Sequence, residues 1–338
     1  MTAKTVAEKL IGGALLSKEE FLALLSSDEA DARLVSAARE RADRIFGKNI
    51  YLRGLIEISS FCKNDCFYCG LRASNHMAQR YRLTKEDILE SARAGYCDGL
   101  RTFVLQGGED PFFTADKVAD IVKSLKKEFP DAAVTLSLGE QSEETYALWR
   151  NAGADRYLLR HETATESHYR KLHPASMLLK NRIACLETLK ALGYQVGAGF
   201  MVGSPFQTME HLSEDLLFLQ SFRPHMIGIG PFMPQKETPF SAYPQGSLAL
   251  TIRLLAILRL GHERALLPAT TALATLSPSG REKGIMAGAN VVMPNLSPPK
   301  VMGKYAIYDN KAQESLSEVR AKIEKIGFCT PEVRGDYQ

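Results

Sequence analysis

Three cysteines lie within eight residues of one another in a single short stretch. Residues 60–70 are SFCKNDCFYCG, so Cys62, Cys66 and Cys69 follow the spacing C-x3-C-x2-C. Four protein ligands close the shell around a structural zinc ion, whereas three thiolates leave one coordination position open. A cubane iron–sulfur cluster held by three cysteines keeps one iron free for a substrate or cofactor. The pattern predicts a reactive metal centre.

Two simpler explanations of these cysteines remain open. The first is a zinc site with His76 as its fourth ligand, although the cysteine spacings differ from those of common zinc modules. The second is that three unrelated cysteines fall together by chance, which their clustering disfavours. Phe67 and Tyr68 stand directly before the last cysteine. We expect these aromatic side chains to shield a bound cluster from water.

A β-strand is predicted immediately before the cysteines. Residues 55–60, LIEISS, alternate apolar and polar side chains, which is typical of a strand. The cysteines therefore lie on the loop that leaves this strand. A loop can direct three side chains toward one point, whereas successive residues of a strand point to opposite faces.

From residue 50 the chain repeats one unit, a short apolar run followed by a longer amphipathic stretch. The predicted strands cover residues 55–60, 102–106, 133–138, 156–160, 196–202, 226–230, 266–270 and 290–293. The predicted helices between them cover residues 85–94, 115–129, 142–152, 178–192, 209–221, 248–260 and 279–287. Such alternation predicts an α/β fold with a parallel sheet, and eight repeats favour a (β/α)8 TIM-type barrel. A doubly wound open sheet is the alternative.

Helical segments are predicted at both ends of this barrel. Residues 5–46 contain three helical stretches, and Ser17 with Glu20 has the pattern of a capping box. One further helix is predicted within residues 310–328. The predicted organisation is an N-terminal helical extension over 1–48, a barrel over 49–310 and a C-terminal helical tail over 311–338.

Composition limits the classes of partner. Lys and Arg number 42 against 39 Asp and Glu, a net charge of +3, so no nucleic-acid or membrane surface is indicated. The sequence has neither an apolar run long enough to span a membrane nor a signal-peptide core, which predicts a cytoplasmic protein. Cys97, Cys185 and Cys329 are scattered, and we expect them to be small buried hydrophobic residues rather than disulfide partners.

Polar and glycine-rich residues follow the predicted strands, at the barrel end where reactive groups gather. Gly107, Gly108 and Glu109 follow the second strand, and glycine lets a backbone approach a ligand closely. Without the cysteines, this GGE would be an ordinary turn. Thr135 and Ser137 lie on the third strand. These residues are candidates for lining a binding site at the barrel mouth.

Charged residues are predicted at the end of the fourth strand. Glu162 ends it and Arg182 lies near the start of the next helix, so that together they suit a zwitterionic amino-acid group. A surface salt bridge is the alternative for this pair. Arg160 ends an apolar run, and because burial without a partner is costly it should face the barrel mouth. His161 is expected to be structural rather than a ligand.

Four hydroxyl-bearing residues are weaker candidates. Thr270 and Thr271, at the end of the seventh strand, can donate hydrogen bonds to a substrate carboxylate, although β-branched residues are also ordinary strand formers. Tyr305 and Tyr308 follow the eighth strand. They either close a pocket from above or belong to the core.

The cysteine spacing together with the aromatic residue before the last cysteine resembles the radical S-adenosylmethionine (radical SAM) superfamily. Within it, eight segments resemble the HydE family of FeFe-hydrogenase maturation enzymes. In chain order these segments are RYRLTKEDI, VLQGGEDPFF, TLSLGE, DRYLLRHETA, ETLKALGYQVGAGFMVG, MIGIGPFMPQKETP, LPATTALATL and GANVVMPNLSP. Methylornithine synthase and biotin synthase are wider relatives. Methylornithine synthase is less similar at RHET and PFMPQKETP.

The resemblance implies roles for individual residues. It implies that Cys62, Cys66 and Cys69 ligate one 4Fe–4S cluster. The residues implied to bind SAM are Tyr68, Gly107, Gly108, Glu109, Ser137, Glu162, Arg182 and Met201. The residues implied to line the substrate pocket are Thr135, Arg160, Thr270, Thr271, Tyr305 and Tyr308. Some family members carry three more cysteines after the eighth strand for an accessory cluster; this chain lacks them, which predicts no second cluster.

The implied reaction is reductive cleavage of SAM to methionine and a 5′-deoxyadenosyl radical, which then modifies a small substrate inside the barrel. For HydE-like enzymes the implied substrate is a small, cysteine-derived iron complex with carbonyl and cyanide ligands, on the path to the two-iron subcluster of the hydrogenase. An external electron donor and other hydrogenase maturation proteins are the implied partners. The alternatives are a lysine mutase like methylornithine synthase, a biotin synthase-like enzyme, or a non-catalytic iron–sulfur scaffold.

Overall fold

The structure, a computed structural model, describes residues 2–337 and is built around a barrel of parallel strands. Its strands are β1 (Tyr51–Leu52), β2 (Gly54–Ser59), β3 (Thr102–Gly107), β4 (Ala133–Ser137), β5 (Arg156–Leu158), β6 (Gln195–Ala198), β7 (Met201–Val202), β8 (Met226–Ile227), β9 (Gly230–Pro231) and β10 (Val291–Val292). Its helices are α1 (Ala3–Ile11), α2 (Lys18–Leu25), α3 (Asp31–Phe46), α4 (Lys85–Cys97), α5 (Ala115–Glu128), α6 (Glu143–Asn151), α7 (Glu166–Leu172), α8 (Leu179–Ala191), α9 (Met209–Phe222), α10 (Leu248–Gly261), α11 (Thr271–Leu276), α12 (Gly280–Met286) and α13 (Leu316–Lys325).

The strands close into a ring. β2, β3, β4, β5, β6 and β8 pair in that order, each with the next and all in parallel. Single parallel bridges then join β8 to Leu266 and Pro268 to β10, and a further one joins Asn295 to Leu55 at the start of the ring. The predicted (β/α)8 barrel is confirmed, and the open sheet is excluded because the last strand returns to the first.

Two predicted strands are interrupted rather than continuous. The predicted strand 196–202 is split into β6 and β7, and the predicted strand 226–230 is split into β8 and β9. Gly199 lies at the first break with φ +153°, and a Cβ there would lie 2.0 Å from the carbonyl oxygen of Gly228. The backbones at Gly199 and Gly228 therefore approach so closely that no side chain fits between them, and the regular strand pairing is interrupted there.

The seventh strand is the least regular part of the ring. Residues 266–270 make only the isolated bridges at Leu266 and Pro268, because a proline cannot donate to a ladder. Thr271 is the first residue of α11 and Thr270 is its N-cap, so the prediction that Thr271 ends a strand was wrong. The helices α7 and α11 were not predicted.

The N-terminal helices pack on the outside of the barrel and the C-terminal tail closes its floor. The capping box at Ser17 and Glu20 is present, and α3 packs against α10. Beyond α13, the N–H of Ile50 donates to the carbonyl of Cys329 (2.9 Å), and the buried guanidinium of Arg156 donates to Oδ1 of Asp336 (2.6 Å). The tail thus seals the end of the barrel opposite the predicted site.

The scattered cysteines do not match their prediction. Cys97 and Cys329 are exposed and Cys185 is half-buried, so none is a fully buried core residue. Cys97 is the last residue of α4, where the helix end faces outward. Within residues 2–337, no helix is both long enough and apolar enough to cross a bilayer.

Candidate active site

A cavity of about 330 Å³ opens at the carboxyl-terminal ends of the barrel strands. Of the residues predicted for the site, those that line it are Cys62, Cys66, Tyr68, Cys69, Gly107, Gly108, Ser137, Arg160, Glu162, Arg182, Met201, Thr270, Thr271, Tyr305 and Tyr308. Two predicted residues, Glu109 and Thr135, are not among the lining residues. Side chains that are up to 246 positions apart in the chain, from Cys62 to Tyr308, thus meet at one end of the barrel.

A single arginine holds the loop that carries the cysteines. The guanidinium of Arg80 donates hydrogen bonds to four backbone carbonyls of this loop, those of Ser60, Leu71, Arg72 and Asn75. Carbonyl groups of an irregular loop have no ladder partner, so a planar donor with five N–H groups can satisfy several at once. The loop conformation therefore depends on the first arginine of the RYRLT segment.

The three thiols are close enough to influence one another. Burial raises the pKa of each, and that of Cys69 rises to about 12. Negative charge on Cys69 and Cys62 further raises the pKa of Cys66. Thiols in this setting stay protonated unless a cation stabilises them together, and bound iron does so.

The donor set fits a cluster better than a single ion. Across residues 2–337, no three His, Cys, Asp or Glu side chains are gathered closely enough to hold one metal ion. A cubane separates its ligands by the width of the cluster, so three cysteines around one cavity suit it. The zinc site with His76 has no support in this geometry.

Glu109 supports the site from outside the cavity. Its Oε1 accepts a hydrogen bond from the N–H of Glu140 (3.0 Å), and its Oε2 lies 3.3 Å from Nζ of Lys63. Gly139 has φ +75°, and a Cβ there would lie 2.3 Å from Oε1 of Glu109. In this structure the carboxylate links the loops after β3 and β4, and its predicted contact with SAM stays a prediction.

Glu162 and Arg182 both line the cavity, but each has a different partner. Nε of Arg182 donates to Oε1 of Glu140 (2.6 Å), and Nη1 donates to the carbonyl of Arg160 (3.1 Å). Oε2 of Glu162 lies 3.0 Å from Nη2 of Arg160. The site therefore contains two neighbouring ion pairs, neither of which is the surface bridge between Glu162 and Arg182 that was the alternative prediction.

Several buried polar atoms in this region have no hydrogen-bond partner among residues 2–337. They are Nε and Nη2 of Arg160, Oε2 of Glu162, Oγ1 of Thr135 and Oγ1 of Thr270. Arg160 and Glu162 attract each other by charge, but the angle between their groups is unsuitable for a hydrogen bond. Buried polar atoms are nearly always paired, so donors and acceptors left open in a cavity indicate a polar ligand.

One buried ion pair in the cavity was not predicted from the sequence. Glu57, on β2, is 1% exposed and pairs with Nζ of Lys311, while Nδ2 of Asn295 donates to its other oxygen (3.1 Å). A carboxylate within the apolar run of residues 55–60 was a usable signal, because a buried charge needs a partner. Lys311 lies 254 residues away and gave no such signal.

A second cavity of about 550 Å³ adjoins the first on its outer side, against residues 302–315. The residues shared by both cavities are Leu55, Glu57, Thr271, Met293, Tyr305, Tyr308 and Lys311. The pair Glu57–Lys311 and the two tyrosines thus lie where the inner and outer cavities meet.

Tyr68 is anchored by a neutral histidine. Nδ1 of His173 donates to the carbonyl of Tyr169 (3.0 Å), so Nε2 accepts the hydrogen bond of the Tyr68 hydroxyl (3.1 Å). Burial lowers the pKa of His173 to about 3, so that this arrangement persists in the folded protein through the neutral and mildly acidic range. The aromatic ring beside Cys66 and Cys69 is therefore held in place by a hydrogen bond.

We predict that acid destabilises the protein through His173. Between pH 6.5 and the lowered pKa of about 3, the unfolded chain binds a proton here and the folded chain does not. The free energy of unfolding then falls by up to about 1.4 kcal/mol per pH unit. Thermal unfolding should occur at lower temperature at pH 5.5 than at pH 7.5, and His173→Asn should reduce the difference. His76→Gln, at an exposed histidine, should leave it unchanged; an unchanged difference in His173→Asn would contradict the prediction.

The chain is similar in sequence to known proteins. The family model of the Radical SAM superfamily matches residues 56–219. The chain is 44% identical over 312 residues to the [FeFe] hydrogenase maturase subunit HydE of Thermotoga maritima, covering 92% of this chain and 89% of that protein. It is 29% identical to the 3-methylornithine synthase of Methanosarcina acetivorans, covering 94% and 91%.

A methylornithine synthase also has a solved structure with a similar fold. The crystal structure of methylornithine synthase (PylB) superposes with a TM-score of 0.86 at 28% identity, covering 96% of this chain and 97% of that one. The match to HydE extends over nearly the full length of both chains. The chain belongs to the radical SAM superfamily and, within it, to the HydE family.

Proposed function

We propose that this radical SAM enzyme is a HydE-type maturase that acts on a small polar substrate during assembly of an [FeFe] hydrogenase. The observation that carries the proposal is the set of unpartnered polar atoms of Arg160, Glu162 and Thr270, in the same cavity as three thiols. Identity of 44% to a hydrogenase maturase supports the maturation role.

Cys62, Cys66 and Cys69 would hold the 4Fe–4S cluster of the family. A cluster held there would supply one electron, taken from an external donor, for the reductive cleavage of SAM to methionine and a 5′-deoxyadenosyl radical. Tyr68 and Met201 lie against the same cavity and exclude water from it. Exclusion of water protects a reactive intermediate from side reactions.

The methionine part of SAM is a zwitterion, and the cavity offers groups of both signs. The guanidinium of Arg182 is fixed by Glu140 and suits a carboxylate. Oε2 of Glu162 lies beside Arg160 but makes no hydrogen bond, so it can accept one from an ammonium group. Gly107 and Gly108 line the cavity without side chains, which lets a ligand approach the backbone. We assign these residues, with Ser137, to SAM.

The substrate is assigned to the part of the cavity that Arg160 and Thr270 line. Arg160 and Thr270 keep unpartnered donors there, and Thr271, Tyr305 and Tyr308 also line it. Thr135, on β4, does not line the cavity but is buried with a hydroxyl that has no hydrogen-bond partner among residues 2–337. A guanidinium with hydroxyl donors suits a carboxylate, so we infer a small carboxylate-bearing substrate, consistent with the cysteine-derived iron complex that the HydE resemblance implies.

Two assays test the proposal. Anaerobically reconstituted protein with SAM and dithionite, a one-electron donor, should form 5′-deoxyadenosine. Added to a cell-free mixture that matures an [FeFe] hydrogenase but lacks its HydE, the protein should restore hydrogenase activity. Formation of 3-methylornithine from lysine would instead support the function of the 29%-identical relative. Absence of 5′-deoxyadenosine would leave the barrel as a scaffold and overturn the proposal.

We predict a single cluster per chain. Residues 302–315, beside the outer cavity, contain no cysteine, and the nearest one beyond them, Cys329, lies at the floor of the barrel beside Lys48. Reconstituted protein should therefore contain about four irons per chain, the content of one cubane. The Cys329→Ser variant should contain the same amount. A reproducible value of about eight irons would contradict the assignment.

A further inference from the structure

A buried histidine–aspartate pair lies behind the turn that carries Arg160 and Glu162. His161 and Asp215 are both completely buried, and neither lines the cavity. Nε2 of His161 lies 3.2 Å from Oδ1 of Asp215, which is on α9. Burying such a pair is costly unless it is well hydrogen-bonded, and the function proposed above gives it no role.

The hydrogen bonds around the pair determine which ring nitrogen carries the proton. The N–H of Gly199 donates to Nδ1 of His161 (3.2 Å), so Nδ1 accepts and Nε2 donates to Asp215. Oδ1 of Asp215 also accepts from the N–H of Ala164 (2.6 Å). The pair therefore connects α9 to both sides of Glu162 and to the end of β6.

The backbone held in this way is strained. Glu162 has φ +67°, in the left-handed region that side chains other than glycine rarely adopt. Its N–H donates to the carbonyl of Gly199 (3.0 Å), whose own N–H is bonded to His161. Gly199 is itself fixed against the backbone of Gly228. Strained conformations persist only where the surrounding structure enforces them, and here the surroundings are the His161–Asp215 pair and β6.

We propose that His161 and Asp215 are positioning residues that fix Glu162 and Arg160 in the orientation that binds SAM and substrate. They act through the backbone of the turn, since both side chains lie outside the cavity. The proposal rests on the proposed function, because it takes Glu162 and Arg160 to contact the ligands. It goes beyond that function because it makes ligand binding depend on α9, a helix that contributes no side chain to the cavity.

The test measures SAM binding directly. The Asp215→Ala variant, reconstituted anaerobically, should keep its iron content and far-UV circular dichroism but bind SAM roughly ten- to a hundredfold more weakly in equilibrium dialysis, as a small displacement of positioning groups predicts. Asp215→Asn keeps an acceptor at the Oδ1 position and should recover most of the affinity. Leu216→Ala, at the next buried position of α9, should lose stability but keep wild-type SAM affinity.

A double-mutant cycle identifies the route of the effect. If Asp215 acts through Glu162, then Asp215→Ala should weaken SAM binding little further in a Glu162→Gln background. Should Asp215→Ala fail to fold, His161→Gln carries the same expectation, because its amide can still donate to Asp215 but offers Gly199 no acceptor.

Two results would overturn the positioning role, and one would overturn the proposed function instead. The positioning role is overturned if folded Asp215→Ala binds SAM with wild-type affinity, or if the losses of affinity in the double variant are fully additive. Either result leaves the function proposed for the wild-type enzyme unchanged. If the wild-type protein itself binds no SAM, the proposed function fails first. The measurements on wild-type and variant protein therefore separate the two failures.

Discussion

Replacing Cys66 by alanine should abolish the reductive cleavage of SAM. Cys66 lies between the other two thiols in sequence, and all three border one cavity. Two thiolates hold a cubane poorly, and without the cluster no electron reaches the sulfonium. The rate of 5′-deoxyadenosine formation should fall by at least about a thousandfold, equivalent to about 4 kcal/mol of activation free energy.

The measurement is 5′-deoxyadenosine per chain under dithionite, together with iron per chain and the absorbance of the cluster. Cys97→Ala is the matched control, since Cys97 is an exposed free cysteine at the end of α4. It should retain wild-type iron and cleavage. Retained cleavage in Cys66→Ala would remove the cluster from the reaction and, with it, the role assigned to the three cysteines.

Two features of this site could be predicted from the sequence, namely the closely spaced cysteines and the polar residues that follow the strands. The three cysteines fall within eight residues, so their proximity needs no tertiary information. The polar residues at strand ends were predicted to meet because parallel strands bring their carboxyl ends to one edge. That reasoning placed Ser137 and Thr270 in the cavity, although they are 133 residues apart.

The pairing of side chains across strands was not predictable in the same way. Arg182 pairs with Glu140 and Glu162 lies against Arg160, whereas the sequence suggested only that Glu162 and Arg182 lie near one ligand. Which carboxylate a guanidinium reaches depends on side-chain torsions and on the left-handed backbone at Glu162. Neither follows from residue type or periodicity.

The irregular strands show a second limit. Residues 266–270 have the composition of a strand, but Pro268 removes a donor and the next turn begins α11 at Thr271. Glu109 shows a third, because nothing in the sequence indicated that Oε1 accepts from the N–H of Glu140 and that Oε2 forms an ion pair with Lys63. Both features arise from tertiary contacts, which a local pattern does not contain.

Replacing Gly108 by alanine should prevent most of the protein molecules from binding their iron–sulfur cluster. A Cβ at Gly108 would lie 2.3 Å from the carbonyl oxygen of Phe61 and 2.6 Å from Cβ of Cys62. Rotation of a flexible side chain cannot relieve contacts this short, because the new Cβ would meet the backbone of Phe61 and the Cβ of Cys62. The loop must move away from β3, and Cys62 moves with it. Iron should fall from about four to less than about one per chain.

The neighbouring glycine provides the control for this prediction. A Cβ at Gly107 would meet its nearest atom, Cγ1 of Ile58, at 3.4 Å, an ordinary contact. The Gly107→Ala variant should therefore load close to the wild-type amount of iron, whereas Gly108→Ala should not, although both changes add one methyl group. Iron per chain and the cluster absorbance after identical reconstitution provide the comparison. Equal loading of the two variants would show that the cysteine loop does not depend on its close packing against Gly108, and would contradict the proposed link between the GGE turn and the cluster.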